Sequence, residues 1–87
     1  MVLKEYEKTY KEFGSFVKSA RKNRHLTQGE VAEKLNISQS YYSCIEKGTR
    51  KLSLPMAIRV CEVLNLDLNE FIISLTMKQP PVIRPED

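Results

Sequence analysis

Five residues between positions 39 and 47 could together present a small polar face of hydrogen-bonding groups. Wound as a helix at about 100° per residue, Gln39, Ser40, Ser43, Cys44 and Lys47 fall within about 140° of arc. A glutamine amide sets a donor beside an acceptor and can pair bidentately with adenine N6 and N7. A serine hydroxyl serves either partner. Tyr41, Tyr42, Ile45 and Glu46 occupy the other side. One face is therefore small and polar, and residues at the helix start are those that reach deepest into a groove. The competing reading of such a face is plain solvent exposure.

Charge distinguishes the two. The 87-residue chain has a formal net charge of +3. Residues 15–27 hold Lys18, Arg21, Lys22 and Arg24 with no acid, and residues 47–51 hold Lys47, Arg50 and Lys51 with no acid. Half of the basic residues lie in these two stretches, so the remainder of the chain is net acidic. If the fold brings both stretches to one surface, that surface binds anions. Thr49, Arg50 and Lys51 directly follow the polar strip, placed to hold phosphates or reach a guanine. Gln28 opens the preceding helix, whose first N–H groups make a phosphate seat.

These residues need a scaffold, and the sequence specifies one made of helices. Phe13, Phe16, Val17 and Ala20 follow the i, i+3, i+4, i+7 stripe of an amphipathic helix. Leu3, Tyr6 and Tyr10 continue it upstream, so the first helix starts as early as Leu3, or else the first ten residues form a separate arm. Gly14 weakens a single continuous helix by about 1 kcal/mol of propensity. Thr27 and Glu30 form a capping box that opens a second helix with Val31, Ala32 and Leu35 inside. Asn36 tolerates the left-handed conformation that ends it.

Ile37 then points inward, and Ser38 caps a third helix that runs to Lys47 and stops at Gly48. Ser53 caps a fourth, with Pro55 in its first turn. Its residues Ala57, Ile58, Val60, Cys61, Val63 and Leu64 make it the helix expected to be most buried. Asp67 opens a short fifth helix through Leu75. The tail KQPPVIRPED holds three of the four prolines and reads as extended. No strand pattern or internal repeat is apparent.

Other classes fit poorly. No apolar run approaches the roughly 18 residues that cross a bilayer. The opening MVLKEYEKTYKEF lacks the apolar core of a signal peptide, so a reducing cytoplasm is expected. Cys44, Cys61 and the single histidine, His25, are too few for structural zinc. His25 has no Ser, Cys or acid partner at motif spacing, and the glycines are scattered. No enzyme activity, metal, cofactor or small-molecule ligand is therefore expected.

The stretch LTQGEVAEKLNISQSYYSCIEKGTRKLSL resembles the Cro/repressor-type helix-turn-helix domain, the XRE family. The matching features are Leu26-Thr27-Gln28, Val31-Ala32 with Leu35, Ile37-Ser38-Gln39 at the turn, and Ile45-Glu46-Lys47-Gly48. The likeness covers residues 13–71. It implies an all-α, five-helix, lambda-repressor-like domain over residues 12–76, with an N-terminal extension, residues 1–11, and a tail, residues 77–87. It also implies a regulator of transcription that represses or autoregulates by binding double-stranded DNA as a homodimer.

At matching positions Gln39, Ser40, Ser43 and Cys44 read bases. Gln28, Tyr41, Tyr42, Lys47, Thr49, Arg50 and Lys51 hold the backbone, and Gln28 also buttresses Gln39. Arg21 and Glu46 match a structural ion pair. Three departures stand out. Asn36 replaces the usual turn glycine. Tyr42 takes a position common for branched aliphatics, so its ring is expected to be partly buried with the hydroxyl reaching solvent or phosphate. Cys44 in the groove reads as a small neutral contact, with a redox-sensing thiol as the alternative.

Leu68, Ile72, Ile73 and Leu75 exceed what one short helix buries on its own domain, and are assigned to a two-fold interface. The rival from another class is a protein-interaction module, such as an antitoxin or bridging factor. Such a module does not need basic charge on the side that carries Gln39.

Overall fold

The computed structural model describes residues 2–78. Five helices follow in order: α1 (Val2–Asn23), α2 (Gln28–Leu35), α3 (Gln39–Lys47), α4 (Leu54–Val63) and α5 (Leu68–Lys78). Residues 79–87, most of the proline-rich tail, lie outside the described residues.

Local chemistry sets the boundaries. Thr27 Oγ1 accepts from Glu30 N at 3.1 Å while Glu30 Oε1 accepts from Thr27 N at 2.7 Å, closing the capping box at α2. Asn36 ends α2 at φ 60°. One residue beyond Ile37, Ser38 Oγ accepts from Tyr41 N at 3.1 Å and starts α3. Gly48 ends α3 at φ 69°. Ser53 Oγ caps α4 through Met56 N, and Asp67 Oδ1 accepts from Asn69 N at the start of α5. His25 and Asn65, at φ 58° and 54°, make the left-handed exits after α1 and α4. Short helices are marginal alone, so these caps act together with packing.

Phe13 and Val17 of α1, Val31, Ala32 and Leu35 of α2, Tyr42 and Ile45 of α3, and Val60, Cys61 and Leu64 from the α4 segment meet in one core. Phe71 brings α5 to α1, edge-on to Phe13 at 5.2 Å between centroids and 5.4 Å from Phe16. Arg59 donates to Leu35 O at 2.7 Å, so α4 occupies a carbonyl at the end of α2.

Four expectations are refined. Of the two readings for the start of the chain, the continuous helix holds: α1 forms without a break from Val2, so residues 2–10 are no separate arm. Gly14 marks a close approach rather than a break. A Cβ there would lie 2.6 Å from Ile45 O and closer still to Glu46 O, so only glycine lets α1 rest on the end of α3. The fourth helix is not buried all round: Leu54 and Ile58, one turn apart, stand 65% and 43% exposed, because only one side of α4 meets the core. The fifth helix also runs one turn past Leu75, to Lys78.

Candidate nucleic-acid interface

The polar strip is built from α3 outward. Ile45 and Tyr42 anchor the inner side of α3, which leaves Gln39 and Ser40 exposed and Ser43 and Cys44 half-exposed. Gln28, Gln39, Ser40, Ser43, Cys44 and Lys47 line one open depression of about 440 Å³. The six residues thus share a surface: five lie on one face of α3 by their helical spacing, and the packing of α2 on α3 adds Gln28. Gln39 Oε1 lies 3.2 Å from where a Cβ on Gly29 would sit, which places its amide against the first turn of α2. Lys47, Thr49, Arg50 and Lys51 are exposed and follow the strip. Arg50 rests its guanidinium carbon 5.0 Å from the centre of the Tyr41 ring.

Behind the strip lies a buried polar cluster. Arg21 Nε donates to Glu46 Oε2 at 2.6 Å and Nη2 to Oε1 at 3.2 Å, a two-pronged pair. Arg21 Nη1 also donates to Leu26 O at 2.7 Å. Gln28 Nε2 donates to Glu46 Oε1 at 2.9 Å, which ties the first residue of α2 to the last turn of α3. One amide hydrogen of Gln28 is used inside the protein; its other hydrogen can donate to a phosphate and its oxygen can accept from the Gln39 amide. Burial pushes the Glu46 carboxyl up, but hydrogen bonds from Arg21 and Gln28 outweigh it and hold the group below its ordinary value. The hydrogen bond to Glu46 raises Arg21 against the opposing effect of burial.

Tyr42 is the correction at this site. Its side chain is fully buried, and its hydroxyl sits beside the Arg21–Glu46 pair without a hydrogen bond of good geometry. It therefore reaches neither solvent nor a phosphate. α1 and α2 close over the inner side of α3, and a tyrosine fits where an aliphatic would. Burial, with Glu46 nearby, pushes the phenol well up.

The first basic stretch is not one patch. Arg21 points inward and is neutralised by Glu46, whereas Arg24 lines a separate depression with Ala20, Asn23 and Leu66. Cys61 is buried, and that burial pushes its thiol up, consistent with an inert core position. No group of metal-ligating side chains occurs among the described residues, and no described helix is long and apolar enough to cross a membrane.

On α5, Leu68 and Leu75 lean on the core while Ile72 and Ile73 stand 50% and 59% exposed. Leu54 and Ile58 add exposed apolar surface on α4 that the sequence reading did not single out. Their i, i+4 spacing was visible, but which side of α4 meets the core was not.

A short helix held by a capped partner, its outer strip polar and its exit basic, has the form that enters a DNA groove; this is the helix-turn-helix DNA-binding fold of transcriptional regulators. The family model described as helix-turn-helix, HTH_3, matches residues 17–71, and the chain belongs to that family. It is 41% identical over 59 residues to the ImmF control region 10 kDa protein of Bacillus phage phi105, across 68% of this chain and 66% of that protein. The uncharacterized HTH-type transcriptional regulator YqaF of Bacillus subtilis is 38% identical over 56 residues, 64% of this chain and 74% of the relative. The chain spans only 48% of a mycobacterial regulator that it also matches. Among solved structures, the clp gene regulator ClgR of Corynebacterium glutamicum superposes with a TM-score of 0.72 over 85% of this chain and 96% of the other. At 23% identity that likeness concerns the fold.

Proposed function

We propose that this protein is a repressor or autoregulator of transcription, acting in the cytoplasm without enzymatic activity, that reads a palindromic operator as a homodimer. Gln39, Ser40, Ser43 and Cys44 contact base edges. Gln28, Lys47, Thr49, Arg50 and Lys51 hold the backbone, with Tyr41 at the rim. The observation that carries the reading is the shared open depression of Gln28, Gln39, Ser40, Ser43, Cys44 and Lys47, continuous in sequence with exposed Arg50 and Lys51. An interaction module without DNA would not need cations there. Ile72 and Ile73, with Leu68 and Leu75 beneath, supply the two-fold contact, which sets two recognition helices about one DNA turn, ~34 Å, apart. The phage relative is named a control region protein, which supports a regulatory role.

The test selects bound sequences from a random duplex pool, then titrates variants on the selected and a scrambled duplex at several salt concentrations. Gln39→Ala and Ser40→Ala lower discrimination by roughly 1–3 kcal/mol per lost base contact. Arg50→Ala and Lys51→Ala weaken both duplexes and flatten the salt dependence. Equal losses on the two duplexes for Gln39→Ala reject its base-reading role.

A further inference from the structure

Arg50 and Tyr41 lie on either side of the Gly48 turn, yet the guanidinium sits over the phenol ring at 5.0 Å. The two partners are held very differently. Tyr41 is half-buried, its ring packs against the core, and its backbone N–H is fixed by the Ser38 cap. Arg50 is exposed in the loop that leaves α3. A packed aromatic face therefore holds an exposed cation. Attraction between a cation and a ring quadrupole acts within about 6 Å of the centroid, so the contact lies in range.

We infer that Tyr41 is a positioning residue for DNA binding, whose ring presents the Arg50 guanidinium beside the recognition helix before DNA arrives. This rests on the reading that Arg50 contacts DNA. A free arginine loses rotamer freedom when it engages a phosphate or a base, and one already lodged on a ring has lost part of it in advance. A guanidinium held over a ring face keeps N–H groups available at its edge, so the same arginine can rest on Tyr41 and donate outward. Two consequences follow from the chemistry. The phenol hydroxyl is dispensable, because the ring face does the holding. Lysine does not replace Arg50, because an ammonium lacks both the planar stack and the forked donors.

The free protein gives the first readout. Ring current from Tyr41 shifts the Arg50 Cδ protons upfield in solution NMR; the shift persists in Tyr41→Phe and disappears in Tyr41→Leu. On the selected operator, Tyr41→Leu lowers affinity roughly two- to fivefold, the size of an exposed cation–ring contact. Tyr41→Phe binds like the parent. In an Arg50→Ala background, Tyr41→Leu has no further effect. Arg50→Lys leaves the fold untouched, since its side chain is exposed, and weakens binding despite keeping the charge.

Equal losses for Tyr41→Phe and Tyr41→Leu would mean that the hydroxyl itself touches DNA, and would overturn the proposal. Additive losses in the double variant overturn it as well. If Arg50→Ala weakens binding while Tyr41→Leu does not, the positioning role fails and the DNA contact of Arg50 stands. If Arg50→Ala binds like the parent, both fail together.

Discussion

Replacing Gly14 by alanine isolates the contact that seats α1 on α3. In an exposed helix interior the change would stabilise by about 1 kcal/mol, because alanine is the better helix former. Here the new methyl meets Ile45 O at 2.6 Å and lies nearer still to Glu46 O. Ordinary carbon contact is about 3.5 Å, so one helix must retreat by roughly 1 Å. The obstacles are backbone carbonyls, which cannot rotate away as a side chain can.

Overpacking of this kind typically costs about 1–3 kcal/mol. Retreat also pulls on the Arg21–Glu46 bonds two turns along α1, and hydrogen bonds to charged groups contribute roughly 1.5–3 kcal/mol each. The sum exceeds the gain in propensity and leaves a net loss of about 2 kcal/mol, which in a domain of this size lowers Tm by roughly 8–16 °C. Circular dichroism at 222 nm follows the melt, with Ser15→Ala as the exposed neighbour that should stay near the parent. A Gly14→Ala protein as stable as the parent, or more so, would refute the close-approach account and return Gly14 to a mere helix weakener.

Glu46→Ala leaves the Arg21 guanidinium buried and unpaired and should cost about 3–5 kcal/mol, read from urea unfolding. Because the Glu46 carboxyl is held below its ordinary value in the fold, its contribution is complete above the unfolded carboxylate range and is lost as pH falls through the folded value. Acid titration of the parent should therefore show a stability loss that Glu46→Gln lacks. Tyr42→Phe removes a buried hydroxyl that has no well-formed hydrogen bond, so its melt should match or exceed that of the parent. The raised phenol works in the opposite direction: the parent loses stability as pH rises past the ordinary tyrosine value near 10, and Tyr42→Phe should lose less. Ile72→Ser with Ile73→Ser should shift the protein toward monomer in sedimentation and weaken operator binding, while leaving the fold intact; an unchanged mass would remove α5 from the interface.

What the sequence disclosed was local. Thr27 with Glu30, Asn36, Ser38, Gly48 and Ser53 each act through groups only a few residues away, so their types and spacing suffice to place both ends of α2 and α3 and the start of α4. The polar strip was legible for the same reason, since 100° per residue fixes which side chains share a face. Misjudged features depend on what packs opposite. Gly14 looks like a weak point until the carbonyls of α3 are set against it. Tyr42 looks amphipathic until α1 and α2 cover its hydroxyl. Ile58 counts as core until one side of α4 is chosen. Arg24 belongs to a basic stretch in sequence, but its place beside Leu66 follows from how the α4–α5 turn returns to α1. The i, i+4 pattern on α4 carries no mark of which flank remains uncovered.

The arrangement of the buried cluster explains why a charged pair sits in so small a core. Replacing such pairs by apolar groups is often neutral or stabilising, so net stability is a weak reason to have one. Geometry is a better one. Glu46 stands in the last turn of α3 and takes hydrogen bonds from α1 through Arg21 and from α2 through Gln28. Hydrogen bonds are directional where apolar contacts are not, so the carboxylate fixes the rotation of α3 about its own axis against both neighbours. That angle decides whether Gln39, Ser40 and Ser43 face outward, and a few degrees at the helix axis become a displaced amide at the tip of Gln39. Gln28 sits at the junction, joined to Glu46 on one side and lining the depression with Gln39 on the other. On this argument a substitution at Glu46 mild enough to fold should still blur discrimination between operator and random DNA, because the strip it aims no longer holds one orientation.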